Sequence, residues 1–291
     1  MVIPACRLCP RRCGVRREET GGFCGQGALP VVARAALHHW EEPCISGTAG
    51  SGAVFFSGCN LRCTYCQNGP ISREGFGQRV TPARLRAIFE DLIAQGAHNI
   101  NLVTPTHFTP VLRRVLEEPL PVPVVWNSGG YDRVEALRTL EGRVQVYLPD
   151  LKYGDSALAG ALSAAPDYPE VARAAILEMF RQTGPYVLED GLLKRGVLIR
   201  HLILPGQLEN TRQVMDWVSG TFRPGEVLFS LMAQYTPQPG AAGLPDRGIT
   251  AGELRRAVGY MEACGIREGY TQERAAADTM YTPPFDLTGV S

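Results

Sequence analysis

Apolar runs and amphipathic stretches alternate along the chain from residue 51 onward. Six short runs have the apolar, β-branched and aromatic content that favours buried strands. They cover residues 53–56, 100–103, 122–126, 144–148, 197–204 and 227–232. A stretch with helical periodicity follows each run, near residues 82–95, 111–117, 134–140, 169–182, 211–218 and 251–264. The pattern therefore predicts six consecutive strand–helix units.

The first predicted helix shows how the sequence encodes its ends. Thr81 stands at the N-cap position, Pro82 at the first helical position, and Gly96 at the point where the helix should end. The residues between them repeat apolar side chains at helical spacing, which predicts one face packed against the sheet.

Repeated strand–helix units are typical of a parallel sheet with helical crossovers. Six units are fewer than the eight that close a TIM barrel. The sequence therefore predicts an α/β fold over residues 51–291, in the form of an open, partial (β/α)6 TIM barrel. Residues 1–50 are predicted to form a small cysteine-rich N-terminal extension, which binds metal and connects to the barrel.

Charge and composition exclude several classes of protein. Lys plus Arg and Asp plus Glu both number 29, so the balanced charge indicates no nucleic-acid partner. No apolar run approaches the roughly 20 residues that span a bilayer, and no apolar signal stretch stands at the N-terminus. Nine cysteines, grouped at metal-ligand spacings, suit a reducing compartment better than a disulfide scaffold. We therefore expect a cytoplasmic protein with no membrane partner.

Three cysteines, Cys59, Cys63 and Cys66, follow the first predicted strand at the spacing C-x3-C-x2-C. Thiolate sulfur is the soft ligand that iron–sulfur clusters require. Three thiolates can hold three corners of a [4Fe–4S] cubane and leave the fourth iron open, and an open coordination site is where a metal does chemistry. A zinc site or a chance grouping is the alternative interpretation.

The first segment of the chain carries four more cysteines, at Cys6, Cys9, Cys13 and Cys24. Four thiolates can complete a tetrahedral zinc site or hold a second [4Fe–4S] cluster, and the spacing leaves both open. Because four ligands close the site, a structural role is the expectation. We expect this segment to pack outside or at the bottom of the barrel, or against its open edge.

The cysteine loop resembles the signature of the radical S-adenosylmethionine (SAM) superfamily, with Tyr65 before its last cysteine and Gly58 and Asn60 around its first. The resemblance implies a partial barrel and an open iron that binds the amino and carboxylate groups of SAM. It also implies cleavage of SAM to methionine and a 5′-deoxyadenosyl radical, with electrons from a reducing partner such as flavodoxin or ferredoxin.

Further motifs resemble the PflX-type, pyruvate formate-lyase activating enzyme-like group of that superfamily. They lie at residues 6–10, 41–47, 147–153 and 200–202. The resemblance implies hydrogen abstraction from an unknown substrate, which an activating enzyme finds on a partner protein. The alternatives are modification of a peptide or a small metabolite and, in a different class, an iron–sulfur or zinc protein that transfers electrons or only binds. True activating enzymes generally lack the four-cysteine segment before the loop.

Polar residues near the ends of the predicted strands are the candidates for binding the cofactor, because ligands of parallel α/β folds sit at the carboxyl ends of strands. Asp150 and Lys152 resemble the Asp-x-Lys element of activating enzymes, which implies a monovalent cation beside the SAM carboxylate. Arg200 lies in an apolar strand and would suit an anionic carboxylate. The other candidates are Thr104 and Thr106, where the family's Gly-Gly-Glu segment is missing, and Asn127, Ser128 and Gln234.

Two expectations concern the connector. Residues 38–42 carry two histidines, a tryptophan and two glutamates. A solvated or hydrogen-bonded surface segment is the expectation, and a metal or substrate pocket is the alternative. Cys44 is expected to be a small buried residue and not a ligand.

Overall fold

The computed structural model describes residues 5–238, 243–273 and 283–291. These residues form one sheet, largely parallel, with helices packed on its outer face. The strands are β1 (Val31–His38), β2 (Ser51–Phe56), β3 (Gln78–Arg79), β4 (Ile100–Val103), β5 (Val124–Ser128), β6 (Val146–Pro149), β7 (Val187–Glu189), β8 (Leu192–Leu202), β9 (Leu228–Met232) and β10 (Gly269–Thr271). The helices are α1 (Pro43–Ser46), α2 (Gly69–Ser72), α3 (Pro82–Ala94), α4 (Thr109–Val115), α5 (Val134–Arg138), α6 (Ser156–Ser163), α7 (Tyr168–Thr183), α8 (Leu208–Thr221) and α9 (Ala251–Ala263).

The six predicted strands form the centre of the sheet as β2, β4, β5, β6, β8 and β9. They lie side by side in chain order, and every neighbouring pair is parallel. The six predicted helices are present as α3, α4, α5, α7, α8 and α9. Thr81 caps α3 by accepting a hydrogen bond from the backbone N–H of Arg84. The prediction of an α/β fold with an open, partial barrel is confirmed.

Alternate residues of the central strands face opposite sides of the sheet, as strand geometry requires. The outward residues, such as Phe56, Leu102 and Trp126, are fully buried in one large core that they share with the helices. The inward residues form separate clusters. Cys44 and Ile45 of α1 pack there against the inward residues of β5, β6, β8 and β9, so α1 fills the floor of the barrel. The expectation that Cys44 is a small buried residue is confirmed.

Four strands lie outside the predicted set. β1 pairs antiparallel with β2 and with the short β3, and β7 forms a hairpin with β8. β10 adds a parallel strand beside β9. β1 lies within residues 1–50, the predicted N-terminal extension and connector, yet it pairs with β2 of the barrel. A domain boundary at residue 50 stays a prediction.

The N-terminal cysteine segment, residues 5–30, lies against the loops at the carboxyl ends of the strands. The Arg11 guanidinium donates to the backbone oxygens of Asn60 (2.8 Å) and Ser163 (2.7 Å), and also to that of Ala164. The side chain of Arg17 donates to the backbone oxygen of His107. The expectation of a position at the bottom of the barrel is therefore wrong, because the arginines of the segment find their acceptors on loops at the carboxyl ends of the strands. A position outside the barrel or against its open edge stays a prediction.

Across the described residues, no helix combines the length and the apolar character needed to cross a bilayer.

Candidate functional site

A cavity of about 220 Å³ opens at the carboxyl ends of the central strands. Eight of the residues singled out in the sequence line it: Cys63, Tyr65, Cys66, Asn127, Asp150, Lys152, Arg200 and Gln234. We call it the cysteine cavity. Its position agrees with the rule that parallel α/β folds bind ligands at this edge of the sheet. Cys59 belongs to the same loop and is partly buried.

The cysteine loop, residues 57–68, presents its sulfur atoms to nearby donors. The Ser163 hydroxyl lies 3.0 Å from the Cys63 sulfur, and the Ser72 hydroxyl lies 3.4 Å from the Cys66 sulfur. The backbone N–H of Leu61 points at the Cys59 sulfur from 3.3 Å. Each sulfur therefore has a hydrogen-bond donor that favours its thiolate form.

The three thiols influence one another strongly. Burial, together with neighbouring Cys63 and Cys66 as like charges, raises the pKa of Cys59 to about 12. Burial also raises the pKa of Cys66. Crowded thiols with raised pKa values, such as Cys59 and Cys66, become thiolates readily beside a strongly positive partner, which a metal cluster supplies. The donor set on this loop therefore fits an iron–sulfur cluster.

Arg200 is the centre of an ionic network below the loop. Its Nε donates to Asp150 (3.0 Å), one terminal nitrogen to Glu41 (3.0 Å), and the other to the side-chain oxygen of Asn127 (2.6 Å). The side chain of Glu41 also accepts from the amides of Asn101 and Asn127, both at 3.1 Å. All three nitrogens of the guanidinium thus have acceptors, which offsets the cost of burying its charge.

Asp150 stands between two cations. Its second carboxylate oxygen lies 2.5 Å from the ammonium of Lys152. Burial alone would raise the pKa of Asp150, but Lys152 and Arg200 outweigh it and hold that pKa below its ordinary value. Burial opposes the charge of Lys152 as well, and Asp150 reverses this and raises the pKa of Lys152. Both groups are therefore charged in the folded protein.

Glu41 is a site residue that the sequence analysis gave only through its alternative interpretation, a pocket lined by residues 38–42. Segment 38–42 was expected to be a solvated surface, yet the Glu41 side chain is only 10% exposed and joins the Arg200 network. His38, Trp40 and Glu41 all line the cysteine cavity. The sequence feature that could have indicated this is the pair of glutamates just before the apolar residues Cys44 and Ile45 of α1. Because α1 is buried inside the barrel, the residues before it lie there too.

Thr104, Thr106 and Ser128 do not line the cysteine cavity. Ser128 and Thr106 instead donate to the two carboxylate oxygens of the buried Asp132, over 2.6 Å and 2.7 Å. Asn127 and Ser128 are neighbours on β5 and therefore face opposite sides of the sheet, so only Asn127 enters the barrel. Thr104 has a positive φ of 61° and donates its backbone N–H to the Asn127 carbonyl.

Aromatic side chains surround the outer part of the cavity. The ring of Tyr65 meets the rings of Tyr153 and Tyr235, with centroids 6.5 and 6.3 Å apart. Gln234 lies next to Tyr235 and receives a long contact from the amide of Gln272. The cavity therefore combines charged groups at its base with apolar faces and an amide further out, the mixture typical of small-molecule sites.

The N-terminal cysteines lie near one another. Burial, together with Cys24, Cys6 and Cys13 as like charges, raises the pKa of Cys9 to about 11. Gly22 approaches Cys13 so closely that a Cβ at this position would lie 2.6 Å from the sulfur. In the described part of the chain, however, no three His, Cys, Asp or Glu side chains surround a single point as ligands of one metal ion.

A model of the radical SAM superfamily matches residues 53–218, which is more than half of the chain. This chain belongs to the radical SAM superfamily. It is a radical SAM enzyme, and the family implies a [4Fe–4S] cluster and SAM as its cofactors, in agreement with the donor set of the cysteine loop.

Two kinds of relative accompany this match. An uncharacterized protein of Methanocaldococcus jannaschii, MJ0674, is 30% identical over 274 residues, covering 90% of this chain and 75% of the relative. Among solved structures, Streptococcus suis SuiB bound to the precursor peptide SuiA has a TM-score of 0.50 at 13% identity. That match covers 74% of this chain and 46% of SuiB, so this radical SAM chain aligns with about half of the larger protein. Methylornithine synthase (PylB) has a TM-score of 0.48 at 15% identity, and the match covers 88% of this chain and 74% of PylB.

Proposed function

We propose that this enzyme cleaves SAM reductively at a [4Fe–4S] cluster held by Cys59, Cys63 and Cys66, and that it abstracts hydrogen from a substrate bound in the cysteine cavity. The observation that supports it best is the cavity itself, where two of these cysteines meet the charged groups of Asp150, Lys152 and Arg200. When bound, the cluster supplies the electron that splits SAM into methionine and a 5′-deoxyadenosyl radical.

The lining residues have complementary roles in this proposal. The SAM carboxylate is placed against Lys152 and Arg200, whose positive charges suit it. Asn127 offers an amide to the same end of the cofactor, while Tyr65 and Gln234 offer an aromatic face and an amide for the adenosine. Thr104, Thr106 and Ser128 receive no contact with SAM in this arrangement, since they lie outside the cavity.

A bound monovalent cation is not required beside Asp150 in this arrangement. The Lys152 ammonium and the Arg200 guanidinium already occupy both oxygens of that carboxylate. They supply the positive charge that an inorganic cation would bring to the SAM carboxylate.

We further propose an activating-enzyme-like reaction of the PflX type, with a reducing partner such as flavodoxin or ferredoxin. The Asp150–Lys152 pair supports this assignment, since both residues line the cavity. Modification of a peptide or of a small metabolite is the alternative. Assays of 5′-deoxyadenosine formation with each class of candidate substrate distinguish them, because the true substrate accelerates it.

The experiment that tests the central proposal replaces Cys59, Cys63 and Cys66 together by Ala. We expect reductive SAM cleavage, measured as anaerobic 5′-deoxyadenosine formation, to disappear. Cys264→Ala is the matched control, since that cysteine lies at the end of α9, away from the cavity. Undiminished cleavage by the triple variant would refute the proposal, and no cleavage by the unmodified protein would favour an electron-transfer or binding protein.

We also propose that Cys6, Cys9, Cys13 and Cys24 bind metal, as zinc or as a second [4Fe–4S] cluster. The crowding of the four thiols supports it. Metal analysis of the triple variant separates the two alternatives. Zinc with almost no iron indicates a zinc site, whereas about four irons per chain indicate a second cubane. A variant that retains neither metal would show that the segment is not a metal site.

A further inference from the structure

A second cavity, of about 200 Å³, adjoins the cysteine cavity. The two cavities share part of their lining, including Glu41, Arg200 and Met232. The other walls of the second cavity come from residues 42–43, from Ser230 of β9 and from residues 270–272 at and after β10. A molecule that fills it therefore lies next to the place where the proposed function puts the radical chemistry.

Glu42 stands in the wall of this cavity with an unpartnered carboxylate oxygen. Its side chain is only 5% exposed, and its Oε2 makes no hydrogen bond. Arg200 is its nearest cation, at 4.0 Å, but that guanidinium already donates to Glu41, Asp150 and Asn127. A buried carboxylate oxygen without a hydrogen bond is costly. A ligand that donates a hydrogen bond to this oxygen would remove that cost.

Ser230 adds a second unsatisfied group in the same wall. It is fully buried beside the Glu42 carboxyl, whose pKa it lowers, but its hydroxyl oxygen meets no partner at full hydrogen-bond geometry. A hydroxyl can accept a hydrogen bond as well as donate one. Glu42 and Ser230 therefore offer acceptors to one ligand from two different elements of the fold.

The charges around the two cavities show which ligand is missing. Lys152 and Arg200 bring two positive charges, while Glu41, Glu42 and Asp150 bring three carboxylates. Burial raises the pKa of Glu42, and neighbouring Glu41 adds to this effect although Arg200 opposes it. A cationic group in the second cavity would balance this charge.

We propose that the second cavity binds a cationic group of the substrate, a primary ammonium or a guanidinium, against the Glu42 carboxylate and the Ser230 hydroxyl. That the ligand is the enzyme's substrate rests on the proposed radical function, whereas the binding of a cation does not. The substrate, whether a peptide or a small metabolite, then belongs to the class of amines or guanidines. The cation would anchor one end while the rest extends past Met232 into the cysteine cavity.

The test is a binding titration on the intact enzyme without SAM, with n-butylammonium chloride as the probe. Its uncharged match is n-butanol, and potassium chloride at equal concentration controls for inorganic cations. Ligand-observed NMR measures the dissociation constants. We expect n-butylammonium to bind at least about tenfold more tightly than n-butanol, the scale of a charged hydrogen bond. Glu42→Gln should abolish this preference.

Two further variants keep the test decisive. Ser230→Ala should weaken n-butylammonium binding by a smaller factor, and it covers the case in which Glu42→Gln fails to fold. Glu209→Gln, which changes an exposed acid on α8, should leave binding unchanged. Equal binding of the two probes, displacement by potassium at the same concentration, or n-butylammonium affinity unchanged in both Glu42→Gln and Ser230→Ala would overturn the proposal.

Because the titration involves no SAM cleavage, it fails independently of the proposed function. Selective n-butylammonium binding by a protein that forms no 5′-deoxyadenosine would keep the amine site and remove the radical assignment. Normal SAM cleavage without amine selectivity would do the reverse.

Discussion

Arg200 shows how a single residue organises the base of the cysteine cavity. Its guanidinium donates to Asp150, directly after β6, to Asn127 of β5 and to Glu41 in the β1–α1 connection. Replacing it would leave two carboxylates and an amide without their main donor, so its loss would affect folding and binding together. Effects on folding and on binding are easier to separate with two neighbouring residues on opposite faces of one strand.

Asn127 and Ser128 provide that separation. Asn127→Ala should weaken SAM binding about tenfold, because it removes an amide that faces the cavity and that also holds Arg200 and Glu41 in place. Ser128→Ala should instead leave SAM affinity unchanged and lower the free energy of unfolding by about 1–3 kcal/mol, because Asp132 loses a buried donor. Anaerobic calorimetry with SAM and urea denaturation measure the two quantities. An equal loss of SAM affinity in both variants would contradict the assignment of faces.

At the scale of elements, the helix ends allow a matched pair of stability predictions. Thr81 caps α3 alone, whereas Thr250 caps α9 in a capping box with Glu253, which also binds Arg247 and the Gly206 N–H. Thr81→Ala should cost about 1 kcal/mol, and Thr250→Ala should cost more, because it also loosens Glu253. Urea denaturation of both variants checks the order. A larger loss for Thr81→Ala would show that the box adds nothing.

Elements differ in how far the sequence predicts them. The central strands and long helices can be predicted from the sequence, because their buried apolar residues recur at the spacing of a strand or a helix. α1 has only four residues and no period to detect, yet it carries Glu41 and Glu42 into the barrel. β1 is rich in alanine and depends on its antiparallel partner β2. The candidate site was therefore predictable where it lies on central strands, and missed where short elements hold it.

At the scale of the whole molecule, the N-terminal cysteine segment supports the cysteine loop from behind. A Cβ at Gly58 would lie 2.5 Å from the Cys24 carbonyl oxygen, so these two backbones are in direct contact. Arg11 joins the segment to Asn60 and to Ser163, and the hydroxyl of Ser163 contacts the Cys63 sulfur. The segment therefore helps to fix the proposed cluster ligands although, among its described residues, none lines the cavity.

The contact between the N-terminal segment and the cysteine loop can be tested without altering any cysteine. Arg11→Ala removes the hydrogen bonds to the loop and to α6. We expect the variant to keep its N-terminal metal but to lose iron from the cysteine loop several times faster under a chelator, because the loop is held less firmly. Arg16→Ala is the matched control, since that exposed side chain pairs only with Glu19 among the described residues. Iron release followed by absorbance, with zinc and iron analysis at the end, measures the effect. Equal release rates in the two variants would show that the segment and the loop are independent. A faster loss in Arg11→Ala alone would show that the N-terminal extension stabilises the cysteine loop, where we propose that SAM is cleaved.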